Sequence, residues 1–155
     1  MSELTHVNSA GEAHMVDVGD KNPGRRTAIA TGRLDTTEEV VQRLRDNDLA
    51  KGDALATARV AGIMAAKRTW ELVPLCHPIA LSSISVEFDT TDTTVLIRAE
   101  VSNTDRTGVE MEALTSVSVA GLTLIDMVKA IDPGAELNHI GVVEKRGGKT
   151  GLWQK

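Results

Sequence analysis

The stretch TGVEMEALTSVSVAGLTLIDMVKAID, residues 107–132, decides how the rest of the chain is arranged. At the helical period Leu114, Val117, Gly121, Leu124, Ile125 and Val128 form one apolar stripe, which predicts a core-facing helix. Its opposite side carries Thr115, Val119 and Leu122, then an acid and a base, Asp126 and Lys129. A helix that is apolar nearly all round is buried on both sides, so the pattern predicts cover from beyond its own sheet, by a partner subunit. Glu112 falls on roughly the same side as Asp126 but fourteen residues earlier, about 21 Å away along a continuous helix. If both groups serve one small ligand, the site is either long or assembled from two chains. Asp126 and Lys129 by themselves read as a surface ion pair or as the acid and base of a site, and the pattern leaves both open.

Working outward, 155 residues suit one domain able to bury its own core, and 41% hydrophobic with 25% charged residues is the balance of a globular chain. No stretch reads as long and apolar enough to span a membrane, and the amino terminus lacks the basic and apolar regions of a signal peptide, so a cytoplasmic protein is predicted. The single cysteine, Cys76, allows no disulfide within the chain. A net charge of -5 argues against a surface that coats nucleic acid. Two Trp, one Phe and no Tyr cannot furnish stacking platforms for a run of bases.

Residues 1–25 are polar, broken by glycine and proline, and read as an arm whose cluster Lys21, Arg25 and Arg26 is either a solvated charge run or an anion contact. Residues 26–144 read as the folded domain. Residues 26–34 predict a strand, and Asp35 to Glu39 the cap and acidic first turn of a helix. A second helix, with Asp53 as its cap, is rich in small residues and predicts close packing. Lys51 precedes it, where free backbone N–H groups favour an anion, although Asp53 occupies part of that positive end.

Cys76 and His77 are held between Pro74 and Pro78 in a stiff loop. Sequence neighbours seldom form a nucleophile pair, and the four histidines show no ligand spacing for a metal; Cys76 is read as a small buried residue and His77 as a hydrogen-bond donor. Residues 82–89 and 94–101 alternate about a short polar link and predict an antiparallel hairpin. After the long helix, residues 137–144 predict a last strand. Residues 145–155 form a basic, glycine-rich tail whose amides and lysines suit phosphate. The order of elements is that of an α+β, ferredoxin-like antiparallel sheet with helices on one face, the other face covered by a second chain.

Taken together, KGDALATARVAGIMAAKRTW, LVPLCHPIALSS, TGVEMEAL, DMVKA and GGKTG closely resemble the cyclic pyranopterin monophosphate synthase family, accessory protein C of molybdenum cofactor biosynthesis. The resemblance implies a lyase that converts a cyclised dihydroguanosine triphosphate to a cyclic pyranopterin phosphate and releases pyrophosphate. It implies a homo-hexamer, a trimer of dimers, with the site between chains. Asp126 and Lys129 match the family's acid-base pair, and Leu75, Cys76, His77, Met111 and Glu112 its substrate contacts. Lys51, Lys145 and Lys149 match residues that hold the triphosphate. No protein-bound metal is implied, although magnesium accompanies the triphosphate in this expectation. The reading from another class is a non-catalytic ligand-sensing module on the same fold, which needs neither Asp126 nor Lys129.

Overall fold

The computed structural model describes residues 4–155. Among these residues the chain forms β1 (Gly24–Asp35), α1 (Glu38–Arg45), α2 (Ala54–Ala66), α3 (Thr69–Leu72), β2 (Ser83–Thr90), β3 (Thr94–Asp105), α4 (Glu110–Val128), β4 (Glu136–Arg146) and β5 (Trp153–Gln154). The strands lie in the order β2-β3-β1-β4-β5, every pairing antiparallel. Without β5, this is the split βαβ arrangement expected from the order of elements. The predicted caps are present: Thr37 accepts from the Val40 amide and Asp53 from the Ala56 amide.

Two elements differ from their expected ends. The predicted last strand runs to Arg146, and the basic tail then turns back so that Trp153 pairs with Lys145 and Gln154 with Glu144. The long helix is shorter than the stretch 107–132, running from Glu110 to Val128 with Lys129 as its cap.

The core lies between the sheet and α4. Alternation sends Ala28, Ala30 and Leu34 of β1, and Val95, Ile97, Ala99 and Val101 of β3, towards Val117, Leu124 and Val128. Leu124 is wholly buried, and truncating such a side chain costs about 2–5 kcal/mol.

Part of the cover expected from a second chain is supplied within this one. The second side of α4 is covered in part by α2 of the same chain. Gly62 lies so close to α4 that a Cβ there would stand 3.0 Å from the Ser116 carbonyl oxygen. The small residues of α2 were the sign of this contact. The sheet face away from the helices carries paired charges, with Leu96 exposed among them. Arg33 pairs with Asp35 at 2.8 Å, and Arg98 with Glu100 at 2.8 Å and Glu87 at 3.6 Å. An antiparallel sheet presents such a face to water without penalty. On the helix layer the exposed apolar side chains include Val60, Met64 and Leu122.

α4 is also long and apolar enough to cross a membrane on length and composition, which corrects the expectation that no stretch is. Half of it is buried within the fold, so its apolar character is accounted for by the core.

Candidate active site

The start of α4 forms one wall of a cavity of about 610 Å³. Thr107 and Gly108 lead into the helix, and Glu110, Met111 and Glu112 in its first turn face the space. Acidic residues there oppose the positive end of the helix dipole, which explains their tolerance at an apolar helix start. The proline-framed loop supplies the facing residues Leu75, Cys76 and His77. The Cys76 amide donates to the Val73 carbonyl at 3.0 Å, which fixes the loop's bend as it leaves α3.

The arm lies across this cavity. Asn8 folds it by accepting from the Ala10 and Glu12 amides, and the His14 amide donates to the His6 carbonyl at 3.0 Å, closing a small hairpin. His77 Nε2 donates to the Val16 carbonyl at 2.8 Å and ties the arm to the loop. Thr5, His6, Val16, Val18 and Lys21 thereby join the lining. Sequence reading left this arm as chain without a partner, because its only local signals are turn residues.

Burial sets the electrostatics. Glu112 is 4% exposed, and desolvation, with the nearby charge of Glu110 adding to it, pushes its carboxyl up to about 7 although its own backbone amide opposes the shift. Burial also raises the Cys76 thiol, helped by the charge of Glu112. A thiol so placed is protonated, and with His77 bonded to Val16 the pair is not arranged as a nucleophile and base. Cys76 is half-buried at the cavity wall, which corrects its reading as a core residue: the two prolines hold it outside the packed layers.

A second, smaller hollow of about 210 Å³ adjoins the first and shares Lys21, Gly108, Glu110, Lys145 and Thr150 with it. Lys145, Lys149, Arg26 and Lys21 line it, against the one carboxylate Glu110, which pairs with Lys145 at 3.4 Å. Gly148, at φ +77°, lets the turn lie against Arg26; a Cβ there would stand 2.5 Å from Arg26 Nη1. The Arg26 Nε donates to the Asp105 carbonyl at 3.2 Å, which holds the guanidinium at the turn. Concentrated cations beside flexible amides make this hollow suited to phosphate.

Lys51, Asp126 and Lys129 meet elsewhere, at the far end of α4. Lys129 Nζ lies 2.7 Å from Asp126 Oδ1, and Lys51 Nζ lies 3.0 Å from Asp126 Oδ2. The hydrogen bond from Lys129, then that from Lys51, holds the Asp126 carboxyl below its ordinary range. Lys51 also donates to the Asp126 carbonyl at 2.7 Å, satisfying one of the free acceptors at the helix end. All three side chains are largely exposed.

The ten residues singled out in the sequence therefore form two groups at opposite ends of one helix. Leu75, Cys76, His77, Met111, Glu112 and Lys145 share the larger cavity, with Lys149 in the adjoining hollow; Lys51, Asp126 and Lys129 form the other group. Glu110, Lys21 and Trp153 were passed over as site residues, and only Lys21, through the basic cluster of the arm, carried any signal in the sequence.

Comparison with known proteins gives a consistent result. The model of the MoaC family matches residues 15–148. The Mycobacterium tuberculosis (strain H37Rv) cyclic pyranopterin monophosphate synthase 2 is 56% identical over 153 residues, covering 99% of this chain and 92% of that relative. The Streptomyces avermitilis cyclic pyranopterin monophosphate synthase is 56% identical over 152 residues, 98% of this chain and 89% of that one. The Thermomicrobium roseum protein of the same name is 52% identical over 157 residues, 100% of this chain and 95% of that one. With its proline-framed loop and its acidic helix start inside the matched span, the chain belongs to the MoaC family.

Proposed function

We propose that the chain is a cyclic pyranopterin monophosphate synthase, a lyase of molybdenum cofactor biosynthesis. It converts (8S)-3',8-cyclo-7,8-dihydroguanosine 5'-triphosphate to cyclic pyranopterin monophosphate and releases pyrophosphate. The observation that carries this reading is the junction of the two hollows: a partly apolar cavity with a buried acid opens onto a cradle of cations. A heterocycle joined to a triphosphate has these two halves.

The chemistry divides between them. Opening and rebuilding a purine-derived ring takes proton transfers, and Glu112 changes its proton occupancy near neutral pH because it is buried. Closing the cyclic phosphate forms a bond from a sugar hydroxyl oxygen to the innermost phosphorus and breaks that phosphorus's bond to the bridging oxygen. Pyrophosphate leaves with the electron pair, and the hydroxyl proton passes to a basic group. Lys145 and Lys149, with Lys51, stabilise the negative charge that grows on the departing oxygens. Asp126 and Lys129 form the acid-base pair, with Asp126 ionised by its two lysines and Lys129 able to donate the proton.

In this reading the two groups of residues come together between chains, within a homo-hexamer built as a trimer of dimers. The length of α4 supports it, since Glu112 and Asp126 of one copy stand about 21 Å apart along the helix. Magnesium would enter with the triphosphate and would supply charge neutralisation for it, alongside the lysines. The enzyme works in the cytoplasm.

The test is to supply the cyclised nucleotide to the purified protein and follow pyrophosphate and the pterin chromophore. Both appear in step if the assignment holds. Tight binding with neither product would favour the ligand-sensing module instead.

A further inference from the structure

Of the aromatic residues among the described residues, only Trp153 lines the larger cavity. The chain carries just two other aromatic side chains. Phe88 packs against the core under Arg59, and Trp70 stands on α3 away from the cavity lining. Trp153 is outside the hydrophobic core and remains 40% exposed, which leaves part of its indole open at the cavity it lines.

Its position is nevertheless specified. Trp153 is paired with Lys145 in register, Gln154 Nε2 donates to Glu144 Oε2 at 2.7 Å, and the Lys155 amide donates to the Val143 carbonyl at 3.0 Å. Residues paired directly across two antiparallel strands point to the same face, so the indole and the Lys145 ammonium stand side by side. Both line the cavity, and Lys145 alone of the two continues into the basic hollow. The arrangement sets a flat π face at the entrance to a phosphate cradle, with Val16, Leu75 and Val142 completing the apolar lining.

We propose that Trp153 is the stacking wall for the ring system of the substrate, holding the heterocycle while Lys145 beside it takes the phosphate end. This rests on the function proposed above and adds to it a residue that selects a flat heterocycle over an aliphatic phosphate. It also gives β5 a purpose: two residues of strand fold the tail back to deliver one side chain.

The test uses the full chain with the substitution Trp70→Phe, which leaves Trp153 as the only indole. GTP is the binding probe, and the cyclised nucleotide is the substrate for turnover. Stacking predicts that GTP quenches the indole emission to saturation. It also predicts that Trp153→Leu raises KM roughly tenfold while kcat stays within about twofold, and that Trp153→Phe restores most of the loss, since stacking depends on a π face rather than on bulk. Trp153→Leu with the wild-type KM overturns the proposal. So does an indole unmoved by GTP at concentrations that inhibit turnover, a result that does not depend on how well the leucine variant folds. The two failures separate: turnover without quenching removes only the stacking role, whereas an unsubstituted chain that makes no pyrophosphate removes both.

Discussion

Glu112 and Asp126 stand fourteen residues apart on the unbroken helix α4, the first buried in a cavity wall and the second exposed in the grip of Lys51 and Lys129. No single ligand in the cavity of one chain meets both. If the working site takes its Glu112 end from one copy and its Asp126 end from another, two dead variants complement each other. Equal amounts of the Glu112→Gln and Asp126→Asn proteins, mixed under conditions where subunits exchange, then recover up to about a quarter of wild-type activity, the share of sites with two intact halves. Labelled subunits that exchange while activity stays at the level of the separate variants would exclude the shared site.

Asp126 and Lys129 make a surface ion pair that the fold does not need. Exposed pairs of this kind contribute little to stability, so Asp126→Ala and Lys129→Ala should leave the melting temperature unchanged. Turnover should fall by roughly three powers of ten, the middle of the range for loss of a proton-transferring group. A variant that retains wild-type kcat returns the pair to the ordinary ion-pair reading. Loss of activity together with the fold would point to the Lys51 contact at the end of α4 as structural.

The α2–α4 contact is tight enough to be tested by single methyl groups. A Cβ at Gly62 would lie 3.0 Å from the Ser116 carbonyl oxygen and 3.3 Å from the Ala120 Cβ. Gly62→Ala gains helix propensity of about 1 kcal/mol, which offsets the crowding and leaves stability near that of the wild type. Gly62→Val adds a branch with nowhere to go and should cost about 1–3 kcal/mol. Ser116 sets the opposite sign, because its buried hydroxyl has no hydrogen-bond partner among the described residues. Ser116→Ala should be neutral or stabilising in urea unfolding; a large loss there would show that the hydroxyl is satisfied in solution.

These contacts also show which signals a sequence carries. The hairpin of β2 and β3 and the core stripe of α4 were legible because strand and helix periods put Val95, Ile97, Leu124 and Val128 on one side each. The caps Thr37 and Asp53 were legible because capping is local. The arm's place over the cavity was not, since it depends on one hydrogen bond between residues sixty-one apart, His77 and Val16. Nor was β5, whose two residues carry no periodicity and are placed by pairing with Glu144 and Lys145. The ion pairs on the open face of the sheet were not legible for a different reason: Arg33, Arg98, Glu87 and Glu100 alternate with the core residues, but their mutual pairing appears only once the strand order is known.

Glu112 makes stability depend on pH in a defined window. Burial raises its carboxyl from an ordinary 4.5 to about 7, so between those values the folded chain holds a proton that the unfolded chain has released. Stability contributed by the neutral acid is therefore complete below about pH 4.5 and is lost as pH rises through about 7, by up to about 3 kcal/mol before cavity water screens part of it. The depressed carboxyl of Asp126 acts on the acid side of 3.8, outside this window. Urea midpoints measured from pH 5 to pH 8 should fall for the wild type relative to Glu112→Gln, which carries no charge at any pH. Parallel profiles would mean that Glu112 is ionised and solvated throughout.

Arg26 and Gly148 hold the cation cradle in shape, and their substitutions should act on phosphate rather than on the core. The Arg26 guanidinium is fixed by the Asp105 carbonyl on one side and lies against Gly148 on the other, a position that a side chain at φ +77° would both strain and obstruct. Arg26→Ala removes a planar donor from a hollow that already holds Lys145 and Lys149. It should raise KM for the triphosphate substrate roughly tenfold and flatten its dependence on ionic strength, because one less charge is left for salt to screen. Arg26→Lys should recover the salt dependence but not the full affinity, since an ammonium cannot reproduce the fork that meets both Asp105 and an anion. Gly148→Ala should resemble Arg26→Ala in KM and should also lower the melting temperature through left-handed strain of about 1–2 kcal/mol, with the core itself intact because the turn lies outside it. A wild-type KM in both variants would mean that the triphosphate lies along the lysines without touching Arg26.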